Sequence, residues 1–89
     1  MAIRDSTHFA TMIRERGIEL QWANDACETP DAVEPRNAGT THYLKKIEAF
    51  GNRWLRVIVN ASTEPAVRIT AFFDRRLSKD DESTNRPRE

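Results

Sequence analysis

Cysteine, glycine, histidine and net charge are all scarce in this 89-residue chain, and each shortage removes a class of function. The single cysteine, Cys27, rules out an internal disulfide and a thiolate zinc centre, and reads as a buried thiol of an intracellular protein. The two histidines, His8 and His42, have no metal-ligand spacing with it, so no metal and no cofactor is expected. Three widely separated glycines give no loop to cradle a phosphate, and no nucleophile motif is present. No apolar run approaches the roughly 18 residues of a membrane span, and the N-terminus has no apolar signal region. A soluble, cytoplasmic protein is the expectation, in keeping with 31% charged residues. The formal net charge of zero argues, taken by itself, against a nucleic-acid binder.

The charge is unevenly distributed. Residues 1–35 carry three basic and seven acidic side chains, whereas residues 36–77 carry eight basic and three acidic ones. Such asymmetry hints at a phosphate-facing surface in the second half. That half contains the clearest pattern in the chain, Arg53 to Arg76. Leu55, Val57 and Val59 alternate with Trp54, Arg56, Ile58 and Asn60; Val67, Ile69, Ala71 and Phe73 alternate with Arg68, Thr70, Phe72 and Asp74. A period of two sends neighbours to opposite faces of a sheet, which predicts two strands with an apolar face. The same alternation predicts a polar back on which Arg56, Arg68 and Thr70 stand together.

The first half is helical. Asp5 and Ser6 are good N-caps for a helix FATMIRER, with Phe9, Met12, Ile13 and Arg16 on one stripe and Gly17 at its end. A second helix runs from about Glu19 to Glu28, with Trp22, Ala23, Ala26 and Cys27 on one side, and stops at Thr29-Pro30. The pair has a helix-turn-helix outline, but the second helix has no Lys or Arg, which excludes a DNA-reading helix. Residues 31–36, DAVEPR, read as a short edge strand because Pro35 cannot donate to a ladder. THYLKKIEA is a further strand, and a hairpin turn follows in which Gly51-Asn52 supplies positive φ. A two-residue turn pairs Ile47 with Arg56 and sets Tyr43, Lys45 and Ile47 beside Trp54. A three-residue turn pairs Ile47 with Leu55, turning Tyr43 and Ile47 to the core and Lys46 to the arginine face. Residues 78–89 have no aliphatic or aromatic side chain and are expected to be a disordered tail outside a single domain spanning 1–77. The fold expected is α+β: two N-terminal helices packed on one face of a mainly antiparallel four-stranded sheet.

His8 with Arg16-Gly17-Ile18, the stop at Thr29-Pro30-Asp31 and the late strand RITAF resemble small DUF4258-type proteins over about residues 7–74. These are grouped with RelE-like toxins of the barnase–EndoU–colicin–RelE set; the ending VRITAFFDRR is also similar to BrnT-like toxins. The resemblance implies a compact α+β fold and a metal-independent ribonuclease-like site on the open sheet face. His8, Arg16 and Thr70 match recurrent polar residues of the family, and this chain has Met12 where the family often has a basic residue. The partners implied are RNA, free or on the ribosome, and a cognate antitoxin protein.

RNA cleavage without metal needs a base for the 2′-hydroxyl, an acid for the leaving 5′-oxygen and cations for the phosphorus centre. His8, Arg16, Arg56 and Thr70 are the catalytic candidates. Arg53, Arg68, Lys45 and Lys46 are candidates for phosphate contacts, with Trp54 and Tyr43 to stack a base. Each also has a plainer explanation. His8 suits a first helical turn, Arg16 suits a helix C-terminus, Thr70 is a good strand former, and His42 reads as a surface residue. A non-catalytic module of the same fold, binding protein or RNA through that sheet face, is the competing expectation.

Overall fold

In a computed structural model of the chain, residues 3–36 and 39–75 are described, so the expected tail at 78–89 lies outside the described residues. The elements are β1 (Ile3–Asp5), α1 (Thr7–Glu15), α2 (Leu20–Glu28), β2 (Ala32–Pro35), β3 (Thr40–Ile47), β4 (Arg53–Asn60) and β5 (Ala66–Phe73). The strands form one sheet in the order β1-β5-β4-β3-β2, antiparallel except that β1 runs parallel to β5. The α+β class is as expected, but the sheet is five-stranded and mixed rather than four-stranded. The added strand is three residues long, too short to carry an alternation.

Local chemistry fixes both ends of α1. Ser6 Oγ accepts the Phe9 N–H at 2.9 Å, which satisfies one of the orphan donors of the first turn. At the other end Gly17 adopts φ +71°. Ile18 N–H then bonds Ile13 O at 2.8 Å and Gly17 N–H bonds Arg14 O at 3.3 Å, the paired closure that a left-handed residue after a helix permits. Ile13 and Ile18, brought together by this turn, both enter the core. α2 presents Ala23 and Ala26, both fully buried, and small side chains let it lie close to β3 and β4.

Both helices cover one sheet face. Phe9, Ile13, Ile18, Ala23 and Ala26 pack there against Ile47, Leu55, Val57, Val59 and Ala71. Full burial of each larger side chain contributes about 1.5–3 kcal/mol. The β3–β4 register is Ile47↔Arg53, Lys45↔Leu55 and Tyr43↔Val57, neither of the two pairings expected. The connection is longer than either turn considered, because a 3-10 turn at Glu48–Phe50 precedes Gly51 and Asn52. Those two residues do have positive φ, +69° and +60°. Parity nevertheless gives the second set of faces: Tyr43 packs against the core, and Lys46 stands opposite Trp54 on the other face.

One irregularity rearranges β5. Ile58 pairs with Thr70 but Val59 pairs with Arg68, so Ile69 is an extra residue. A bulge of this kind resets the alternation on one side of it. Arg68 therefore shares the helix-covered face with Val59, and the expected trio of Arg56, Arg68 and Thr70 on one back face does not form.

Candidate functional site

Because Leu55, Val57 and Val59 face the helices, the even-numbered residues of β4 face away. Register then sets Trp54, Arg56 and Ile58 beside His42, Leu44 and Lys46 of β3, with Glu34 of β2 next to His42. Phe72 stands opposite Arg56 and Thr70 opposite Ile58 on β5. Arg56 is the centre of this face. Its Nε and Nη2 donate to Asp74 Oδ2 at 2.8 and 2.7 Å, and its Nη1 lies 3.0 Å from Glu34 Oε1 and 2.8 Å from His42 Nδ1. Asp74 follows the end of β5 and is anchored by its backbone N–H to Trp54 O at 2.9 Å. Glu34 Oε1 also accepts from Arg36 Nη2 at 2.6 Å.

The protonation pattern follows from these contacts. Guanidinium only donates, so His42 Nδ1 accepts and Nε2 carries the ring proton. Burial, followed by the charges of Arg36 and Arg56, holds the imidazole below its ordinary value, against the opposite pull of Glu34 and Asp74. The hydrogen bond from Arg36, then that from Arg56, holds Glu34 below the usual carboxylate range despite partial burial. At neutral pH the cluster is a neutral imidazole and an ionised carboxylate sharing one guanidinium. An imidazole, a carboxylate and a cation within hydrogen-bond reach can bind an oxyanion and move protons on either side of it.

Of the ten residues singled out from sequence, Arg56, Trp54 and Lys46 share this face; Thr70 lies on it by register, but its hydroxyl donates to Met12 of α1. Lys46 Nζ lies 5.6 Å from the Trp54 ring centroid, and Thr70 Oγ1 lies 2.7 Å from Met12 Sδ. Arg68 is on the helix side, bound through Nε and Nη2 to both oxygens of Asp5 and standing 4.9 Å from the Phe9 ring centroid. Tyr43 packs against the core, Lys45 donates to Thr29 O at 2.9 Å, and Arg53 lies over Phe50 at 5.4 Å. Arg16 donates from Nη1 to Ala71 O at 2.9 Å, on a stretch of β5 that β1 does not reach. His8 is exposed in the first turn of α1, a helix that packs chiefly on β5 rather than on the strands bearing His42 and Glu34.

Three members of the cluster, His42, Glu34 and Asp74, were not among the sequence candidates. His42, expected to be a plain surface residue, is half-buried and hydrogen-bonded. Its link to Arg56 is cross-strand and diagonal, so only the β3–β4 register reveals it. A concavity of about 680 Å³ between α2 and the β3–β4 turn is lined by Trp22, Trp54, Lys45 and Lys46 among others, but by no member of the Arg56 cluster. Its walls also carry Asp25, Asp31 and Glu48, a lining that does not favour anions.

The architecture defines a small α+β protein with two helices on one face of a mixed five-stranded sheet and an ionisable cluster on the other. Over residues 6–73 the chain matches the family described as a domain of unknown function, DUF4258. It belongs to that family. No curated protein and no solved structure matches it. Among the described residues, no helix is long and apolar enough to cross a membrane.

Proposed function

We propose that the chain is a toxin-like, metal-independent endoribonuclease, akin to the RelE–barnase group, with BrnT-like toxins as the runner-up. It acts on RNA in the cytoplasm and is restrained by a cognate antitoxin. The observation that carries this reading is the shared guanidinium of Arg56, with His42 Nδ1 at 2.8 Å and the ionised Glu34 at 3.0 Å. Arg56 binds the scissile phosphodiester. Glu34 takes the 2′-hydroxyl proton as the 2′-oxygen attacks phosphorus, and His42, charged by a proton taken up from solvent, gives a proton to the departing 5′-oxygen. The bond from phosphorus to the 5′-oxygen breaks, leaving a 2′,3′-cyclic phosphate and a 5′-hydroxyl. Negative charge arriving on Arg56 opposes the influences that keep His42 neutral and favours the imidazolium that this step needs. Trp54 and Phe72 offer ring faces for unpaired bases and Lys46 a further cation. The acid role is given to His42 rather than to His8, because α1 packs on the sheet face opposite Arg56.

The test is incubation of the purified chain with single-stranded RNA in the presence of a chelator. Cyclic-phosphate ends are expected from the wild type and not from His42→Ala or Arg56→Lys. Intact RNA after incubation with folded wild-type protein would refute catalysis. A non-catalytic RNA- or protein-binding module is the second reading, favoured by the charges of Arg56 and Arg68 both being neutralised by carboxylates. Salt-sensitive RNA binding without cleavage identifies the RNA-binding form of it.

A further inference from the structure

Arg56 is neutralised twice, and its two carboxylates are not equivalent. The Asp74 side chain is 2% exposed and occupies Nε and Nη2. The Glu34 side chain is 40% exposed, sits on a four-residue edge strand and meets Arg56 only at Nη1. Its Oε1 is the point where two guanidinium groups converge, Arg36 Nη2 at 2.6 Å and Arg56 Nη1 at 3.0 Å, with the His42 ring on the same Nη1. Two guanidinium groups converging on one oxygen make a cradle for an oxyanion.

We propose that Glu34 Oε1 holds the place of a phosphate oxygen, and that a phosphate ligand binds by displacing Glu34 from Arg36 and Arg56 while Asp74 stays. The asymmetry of exposure decides which carboxylate leaves. Glu34, with 40% of its side chain exposed, returns to water at less cost than a buried carboxylate; removing Asp74 would strand a buried charge. Asp74 thus fixes the guanidinium plane, and Glu34 keeps the outward edge of Arg56 occupied until an anion competes. The ligand chemistry is a phosphate oxyanion, carried either by an RNA phosphodiester or by a free phosphate. With RNA as the ligand the inference rests on the ribonuclease reading, and displacement is also what frees Glu34 to act as the base.

The experiment compares the wild-type chain with Glu34→Gln, which keeps volume and removes the charge. Inorganic phosphate is titrated while the His42 imidazole signals are followed by NMR, and a short single-stranded RNA is titrated at low salt by fluorescence anisotropy. Glu34→Gln is expected to bind phosphate on the order of fivefold more tightly, the effect of losing one competing charge near the protein surface. Unchanged or weaker phosphate binding, in a variant whose melting curve shows it folded, would overturn the proposal. Tighter binding of both ligands, with loss of cleavage, identifies the phosphodiester as the ligand. Tighter binding of phosphate alone supports the cradle for free phosphate and counts against the ribonuclease reading. A retained response to phosphate in Arg56→Met would also overturn it, since the anion would then be bound elsewhere.

Discussion

Replacing Asp74 by Asn tests whether Arg56 is held as a buried charge. The two side chains are 6% and 2% exposed and meet at 2.7 and 2.8 Å. Removing one partner of a buried ion pair costs about 3–5 kcal/mol, because the other charge is left in a low-dielectric setting. Glu34 still contacts Nη1, but at 40% exposure it returns only part of this. The expected loss is about 3 kcal/mol. For a domain of this size each kcal/mol moves the melting temperature by about 4–8 °C, so a fall on the order of 15 °C is expected. Urea unfolding of Asp74→Asn, Arg56→Met and the double variant isolates the pair. The double variant should be about 2 kcal/mol more stable than the sum of the singles predicts, since it leaves neither charge unpaired. An Asp74→Asn variant within about 0.5 kcal/mol of wild type, or strictly additive singles, would refute the claim that the pair is desolvated.

Two further outcomes follow from the same contacts. Ser6→Ala should cost about 1 kcal/mol in unfolding free energy, through loss of the cap on the Phe9 N–H, with Ser6→Asp losing little. The His42 imidazole titrates below its ordinary 6.5 in the folded chain, so the unfolded chain binds its proton first as pH falls. The stability contributed by the neutral ring is therefore complete above about 6.5 and is lost as pH drops through the lower folded value. His42→Asn, which retains an acceptor for Arg56, should remove that part of the acid sensitivity; identical pH–stability profiles from about pH 7 to about pH 5 would contradict the assignment.

Much of the fold is legible in the sequence wherever a local signal is sufficient. Ser6 and Gly17 bracket α1 because a hydroxyl acceptor and a left-handed residue solve the end problem of any helix. Pro35 correctly marks β2 as an edge. What the sequence conceals is non-local. Ile3–Asp5 becomes a strand only because β5 offers it a parallel partner. The connection between β3 and β4 admits several lengths, and the 3-10 turn at Glu48–Phe50 selects a pairing that no side chain advertises. Ile69 is apolar and suits either face, so nothing in the alternation marks it as the bulged residue.

The bulge matters most for the charges. In sequence Arg56 and Arg68 look alike, each a cation flanked by apolar neighbours in a strand, yet they end on opposite faces and each meets an acid from elsewhere. Arg68 takes Asp5 from β1; Arg56 takes Asp74 and, from β2, Glu34. Asp5 and Glu34 both come from the acidic first 35 residues. The opposite charge of the two halves is therefore spent partly on pairing across the sheet, which weakens it as a sign of a phosphate-facing surface. A buried arginine cannot be left without a partner, so its acid must be supplied by whichever strand the topology brings alongside. The outward edge of Arg56 differs, because the acid supplied there is Glu34, whose side chain is 40% exposed and also pairs with the exposed Arg36, whereas Asp74 is buried.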